Sequence, residues 1–227
     1  MTKVVFHRAF DFANVDLAEF FGGTITPVSL TEIHVAQGKF SAVLTGSFVP
    51  GIPPTGTLNT VEASYKNLPL FTASNMNVPL GDVIANADDG DALLDLFFGG
   101  ADTFKGSKGA DVLYSHDGND VLAGGKGIDA LVGGLGADTM TGGADEDTFV
   151  YLAATDSTKK VADLITDLND VDDFINLQAL GLESPDQITA VYNESKDRTA
   201  FTVDVNGEAT MVIVAEGDHS QFDNFIT

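Results

Sequence analysis

The stretch FFGGADTFK-GSKGADVLY-SHDGNDVLA-GGKGIDALV-GGLGADTMT-GGADEDTFV, Phe97 to Val150, divides into six nonamers without a gap. A short fixed period of this kind marks a stacked-repeat architecture and takes precedence over single motifs. The sixth position is Asp in every unit: Asp102, Asp111, Asp120, Asp129, Asp138 and Asp147. The eighth is always large and apolar: Phe104, Leu113, Leu122, Leu131, Met140 and Phe149. The fourth is Gly in five units and Asp145 in the last.

Each unit has a readable physics. Its first six positions, rich in Gly, suit a tight turn with positive φ angles and offer carbonyls uncrowded by side chains. The last three suit a short strand whose middle residue points inward. One nonamer has a single core side chain and cannot fold alone. Stacked nonamers bury a ladder of Phe, Leu and Met and bring the turn Asp into register. Carboxylates stacked about 4.8 Å apart repel one another unless a cation lies between them. Ligands that are all oxygen select a hard divalent ion, and a flexible many-ligand shell favours Ca²⁺ over Mg²⁺.

Working outward, the 227-residue chain carries 34 acidic against 11 basic side chains, a formal charge of −23. Its hydrophobic content of 44% argues against intrinsic disorder. The lack of a basic footprint argues against nucleic acid and against an anionic membrane surface. Of the acids 26 are Asp and 8 are Glu, and 18 of the Asp lie between Asp88 and Asp173. Asp suits turns and compact metal loops because its carboxylate sits close to the backbone. With no Cys, disulfides and Cys-based zinc sites drop out. No Sec signal peptide or transmembrane run is read in the sequence. Composition alone suggests a cytoplasmic address.

The nonamers resemble the RTX family, the hemolysin-type calcium-binding repeats of consensus G-G-x-G-x-D-x-U-x. GGKGIDALV and GGLGADTMT match it at every fixed position. The resemblance implies an all-β fold built on a parallel β-roll, with two nonamers per turn and strands alternating between two facing sheets. It also implies Ca²⁺ between unit i and unit i+2. Carried onto this chain, that pairs Asp102 with Asp120, Asp111 with Asp129, Asp120 with Asp138, and Asp129 with Asp147, for about four ions. The turn residues that would complete the metal shells are Gly106, Lys108 and Gly109; Asp117 and Gly118; Gly124, Gly125, Lys126 and Gly127; and Gly133, Gly134, Leu135 and Gly136. The ends depart from the consensus: FFGG lacks the leading Gly pair, Ser115 and His116 replace it in the third unit, and Asp145 replaces the fourth Gly of the sixth. Units two, four and six should share a sheet. Its mostly apolar outer positions, Val112, Tyr114 and Val132 among them, predict a segment packed over it.

Three regions are expected: 1–96, a β-rich N-terminal region with capping helices; 97–150, the roll; and 151–227, a cap with a secretion signal. TITPVSL, TEIHVAQ, KFSAVLTG and TLNTVEASY read as strands, Asp16–Phe21 as a short helix, and Pro79–Phe98 as two short helices, the second capping the roll. The segment after Val150 resembles the stretch following the roll in serralysin-like secreted proteases. There Asp163, Asp167, Asp172 and Asp173 read first as a solvated acidic loop and second as further calcium ligands. FTVDV-NG-EATMVIV reads as a hairpin with an Asn-Gly turn. The ending FDNFIT resembles the apolar-acidic ends of substrates of type I secretion systems. Family resemblance thus implies export through a type I secretion apparatus and an extracellular location, against the address that composition suggests. The roll would fold on meeting external Ca²⁺.

Catalytic patterns are lacking: no H-E-x-x-H, G-x-S-x-G or G-x-x-x-x-G-K-[ST] occurs, and His116 reads as a tolerated surface substitution. The first reading is therefore a secreted, non-enzymatic calcium-binding protein acting in adhesion, matrix or surface association, with a glycan or surface protein as partner. The alternative is a small secreted polysaccharide-modifying enzyme or effector with its site in residues 1–96. Glu32, Glu62 and Asp82 are its candidate carboxylates.

Overall fold

Each unit contributes one inward side chain on a three-residue strand, and successive strands stand on opposite walls of a shared core. The structure, a computed structural model, describes residues 3–6, 24–29, 32–37, 40–49, 55–65, 68–79, 82–83, 96–205, 207 and 209–227. The strands, in chain order, are β1 (Lys3–Phe6), β2 (Thr24–Ser29), β3 (Glu32–Gln37), β4 (Phe40–Val49), β5 (Thr55–Tyr65) and β6 (Leu68–Pro79) before the repeats. Within the repeats come β7 (Thr103–Lys105), β8 (Val112–Tyr114), β9 (Val121–Lys126), β10 (Ala130–Val132), β11 (Thr139–Ala144) and β12 (Thr148–Val150). After them come β13 (Asp163–Ile165), β14 (Phe174–Asn176), β15 (Ile188–Asn193), β16 (Arg198–Val205), β17 (Ala209–Glu216) and β18 (Phe225–Ile226).

Odd units supply β7, β9 and β11 to one sheet, and even units supply β8, β10 and β12 to the other. Pairing is parallel and in phase with the repeat: Phe104 opposite Leu122, Leu122 opposite Met140, Leu113 opposite Leu131, and Leu131 opposite Phe149. All six eighth-position side chains are fully buried between the sheets. The architecture is an all-β parallel roll, as expected. Of the outer positions on the even sheet, Val112 and Tyr114 are half-buried and Val132 is buried, while Val121 on the odd sheet is 42% exposed.

The ladder does not stop at Val150. Leu164 stands opposite Thr139 and Ile165 opposite Met140; Phe174 stands opposite Thr148 and Ile175 opposite Phe149. The triplets Asp163-Leu164-Ile165 and Asp173-Phe174-Ile175 thus repeat the D-x-U end of the nonamer, with Ile165 and Ile175 fully buried. Next, β17 adds to the odd sheet and β18 to the even one, both parallel. The expected hairpin is present: β16 and β17 pair antiparallel, with Gly207 at φ 75° between them, and β15 extends the pair. Its rings close the core, with Phe222 and Phe225 centroids 5.0 Å apart edge to face and both against Phe201. Phe222 and Phe225, read from sequence as part of an export signal, are here the end of the core.

At the opposite end β1 pairs parallel with β7 and antiparallel with β6, so the odd sheet continues through β5, β4, β3 and β2. Beside the expected capping helix, a strand satisfies the edge of β7, because unpaired ladder groups require a backbone partner. Leu96–Phe98 is helical and still contributes to the closure, its Phe98 ring 5.5 Å from Phe104. The helix expected over Asp16–Phe21 and most of those over Pro79–Phe98 lie outside the described residues. In the long antiparallel sheet, alternation buries Val61 and Ala73 and leaves Glu62 exposed.

Ser157 ties the post-repeat connection to the hairpin. Fully buried, it donates its hydroxyl to the Val212 carbonyl at 2.6 Å and accepts the Asp163 N–H at 2.8 Å. Ser157→Ala leaves two buried polar groups without partners. It should cost about 1–3 kcal/mol, read by chemical denaturation, and a change within a few tenths would contradict this role.

Candidate metal centre

The site is built from turns stacked so closely that side chains are excluded. In the fifth unit Gly134 has φ 87° and Gly136 φ 143°. A Cβ on Gly134 would stand 2.0 Å from the His116 carbonyl oxygen, and one on Gly136 1.5 Å from that of Gly118. His116 holds the second position of its own turn at φ 66°, with its ring stacked on Tyr114 at 4.2 Å.

These turns hold two columns of carboxylates. Asp102, Asp120 and Asp138 stack on one edge and Asp111, Asp129 and Asp147 on the other, each 1–2% exposed. Every rung is tied in the same way: the backbone N–H of one Asp donates to Oδ1 of the Asp two units on. The distances are 2.7 Å for Asp102 to Asp120, 2.8 Å for Asp111 to Asp129 and for Asp120 to Asp138, and 2.9 Å for Asp129 to Asp147. The second oxygens differ. Asp111 Oδ2 accepts the Ser107 N–H at 2.7 Å. Oδ2 of Asp120, Asp129, Asp138 and Asp147 is buried and has no hydrogen-bond partner. Beside each of three of these oxygens a first-position glycine leaves room. A Cβ would fall 2.5 Å from Asp129 Oδ2 at Gly124, 2.3 Å from Asp138 Oδ2 at Gly133, and 2.5 Å from Asp147 Oδ2 at Gly142.

Burial of a charged oxygen without a partner is expensive, and the group responds by holding its proton. Burial pushes the Asp120 and Asp129 carboxyls up to about 7, and those of Asp138 and Asp147 up to about 6. The amide that each accepts opposes the rise, and neighbouring carboxylates add to it.

The columns continue past the nonamers. Asp138 N–H donates to Asp163 Oδ1 at 2.9 Å, and Asp147 N–H donates to Asp173 Oδ1 at 3.0 Å. The reading of this stretch as a solvated acidic loop is corrected in part. Asp163 is fully buried and Asp173 is 3% exposed, whereas Asp167 and Asp172 are exposed. Asp167 caps the fifth-to-sixth turn, accepting the N–H groups of Gly142 and Gly143 at 2.9 Å. Burial pushes the Asp163 carboxyl up to about 8. The signal that finds these rungs in sequence is Asp followed two residues later by a large apolar side chain. Fixed phasing hides it, because the steps are 25 and 26 residues instead of 18.

The remaining candidate ligands lie where the repeat places them. Lys108, Asp117, Lys126 and Leu135, at third positions, have exposed side chains, so they can contribute only carbonyls to an ion within the stack. The Leu135 carbonyl already accepts the Gly118 N–H at 2.8 Å, which leaves its second lone pair. Gly106, Gly109, Gly118, Gly125, Gly127 and Gly136 lie in the same stacked turns. Among the described residues no three His, Cys, Asp or Glu side chains converge, so each site offers two carboxylates and must draw the rest from carbonyls and water. Orphaned oxygens, glycine-lined space and an all-oxygen donor set together fit a hard divalent cation. Of Glu32, Glu62 and Asp82, weighed as enzymatic carboxylates, Glu32 and Glu62 lie on β3 and β5 with β4 between them.

The fold and site define a calcium-binding β-roll. Residues 98–131 and 124–157 match the RTX calcium-binding nonapeptide repeat (4 copies), and RTX nonapeptide repeats bind calcium. No curated protein matches the chain. Among solved structures it is similar to the AlgE6R3 subunit of the mannuronan C5-epimerase of Azotobacter vinelandii. That similarity has 25% identity and a TM-score of 0.49, over 57% of this chain and 79% of that one. It is also similar to the AlgE6R2 subunit of the same enzyme, with 23% identity and a TM-score of 0.44, over 56% and 87%. Among the described residues no helix is long and apolar enough to cross a membrane.

Proposed function

We propose that the chain is a secreted protein whose roll folds on meeting extracellular Ca²⁺ and which acts as a non-enzymatic binding protein at a cell surface or in a matrix. The observation that carries this reading is the set of buried Asp oxygens without partners at Asp120, Asp129, Asp138 and Asp147. At the low Ca²⁺ of a cytosol the stacked carboxylates oppose folding. At millimolar Ca²⁺ the ions between turns reverse the sign of that interaction. Asp102 with Asp120, Asp111 with Asp129, Asp120 with Asp138, and Asp129 with Asp147 would hold the ions, with turn carbonyls completing each shell. Export through a type I apparatus, guided by residues 151–227, accounts for a domain that must stay unfolded until it is outside. Contact with a glycan or surface protein is assigned to residues 1–96, which carry the antiparallel strands β2 to β6.

Circular dichroism and sedimentation, first in EDTA and then in about 10 mM Ca²⁺, should show a gain of β structure and compaction. No gain would reject the reading. Asp129→Asn should raise the Ca²⁺ midpoint by about tenfold, equivalent to about 1.4 kcal/mol. A reporter joined to residues 151–227 should leave cells when a type I exporter is present, and its retention there would reject the export role. A glycan array with the Ca²⁺-loaded chain tests the binding role.

A further inference from the structure

A sheet edge carries unpaired N–H and C=O groups and is a template for another strand unless it is short, charged, bulged or broken by Pro. Among the described residues the two sheets end at β2 and β15 on one side and at β8 and β18 on the other. Three of these edges are blunted. β8 has three residues and β18 has two. β2 contains Pro27 and a register shift between Pro27 and Ser29. β15 has none of these devices: Ile188-Thr189-Ala190-Val191-Tyr192-Asn193 lacks Pro and charge, and its pairing with β16 runs without a shift. Among the described residues no strand takes its other edge. Thr189, Val191 and Asn193 are exposed on one face, Val191 at 57%, while Ile188, Ala190 and Tyr192 are half-buried on the other.

We propose that β15 is a self-association surface, on which a second copy of this chain lays its own β15 antiparallel across a two-fold axis. Adjacent residues of a strand point their N–H groups to opposite edges, so such an axis must set some residue opposite itself. Pairing within the strand is longest when the centre is Ala190, joining residues 188–192, or Val191, joining residues 189–193. Charge in the flanking turns decides between them. Centring on Ala190 sets the exposed Asp186 opposite the exposed Glu194 of the second copy, a repulsion made twice. Centring on Val191 sets Asp186 opposite the exposed Lys196 of the second copy, an attraction made twice, and Glu194 opposite Ile188. The same register sets Val191 against Val191, Ala190 against Tyr192 and Thr189 against Asn193, so that apolar meets apolar and hydroxyl meets amide. A two-fold contact closes on itself, and the blunted edges elsewhere give no second template, so the product is a pair of chains and not a fibre.

Sedimentation equilibrium of the full chain reads this, in about 10 mM Ca²⁺ and about 150 mM salt, which screens the charge of −23 beyond about 8 Å. One strand pair makes a contact smaller than a standard interface, so the mass should rise from one copy toward two between about 5 and about 500 µM. Val191→Lys and Val191→Glu each set like charges opposite one another at the axis and should weaken the association about tenfold. Val191 is exposed, so neither change disturbs the core. The first variant reduces the net negative charge and the second increases it, so a loss in both reports the register and not the overall charge. An equimolar mixture of the two should associate more tightly than either alone, because an ammonium then faces a carboxylate. A chain that stays single at about 500 µM overturns the proposal and leaves the edge to a foreign strand. Variants that pair as well as the unsubstituted chain, a mixture no tighter than its parts, or a mass that grows past two copies overturn it equally.

Discussion

Lowering the pH from about 8 to about 5 should stabilise the chain in EDTA and leave it nearly unchanged in about 10 mM Ca²⁺, where acid destabilises it only below about pH 4. Without metal, the Asp120, Asp129, Asp138 and Asp147 carboxyls have folded-state values of about 6 to 7, against 3.8 for an unperturbed Asp. Between these limits the folded chain binds more protons than the unfolded one, so stability falls as pH rises. It is fully present below about 4 and lost as pH passes through about 7. Bound Ca²⁺ requires the ionised form and lowers the folded-state values beneath the unfolded one. Stability is then present above the unfolded value and lost on acidification.

At free Ca²⁺ about a hundred times Kd, each site contributes about 2.7 kcal/mol. Four such sites at pH 8 should raise Tm by about 30 °C. Thermal unfolding at four pH values, with and without Ca²⁺, reads both slopes. A metal-free Tm that rises with pH, or a Tm indifferent to Ca²⁺ at pH 8, would contradict the role assigned to the Asp columns.

Gly136→Ala and Gly100→Ala should differ by several kcal/mol, although both fall at the fourth position of a nonamer. At Gly136 the φ of 143° is one that side chains rarely adopt, and the new Cβ would stand 1.5 Å from the Gly118 carbonyl oxygen. That neighbour is backbone in a stacked turn and cannot swing aside. Strain and overpacking together should cost about 4 kcal/mol. At Gly100 nothing lies within 4 Å of the added Cβ, so the change should stay within about 0.5 kcal/mol. Chemical denaturation of both variants in saturating Ca²⁺ checks the contrast, and equal losses would refute the stacking geometry.

That contrast shows where legibility ended. The eighth-position ladder was readable because it follows from a period of nine with one inward position, whereas the alternation of units between two sheets came from the family resemblance. The second oxygen of each Asp was not readable. Asp111 and Asp129 occupy the same column, yet Asp111 Oδ2 meets the Ser107 N–H while Asp129 Oδ2 meets nothing. Asp163 and Asp173 escaped the repeat phase although both carry the D-x-U end. A longer connection shifts the count without disturbing the ladder, since closing a somewhat longer loop adds little entropy cost. The pairing of β1 with β7 joins segments about a hundred residues apart and has no local signature.

By itself, then, the sequence determined the roll: its period, its core ladder, its Asp columns and the chemistry of a cation that could lie between them. These are local and repeated, so each unit carries the whole instruction. Only the tertiary structure decided which carboxylate oxygens are left without partners, where the columns end, and which strands close the two sheets. Those outcomes depend on hydrogen bonds between segments far apart in the chain, and their geometry exists only once the turns are stacked.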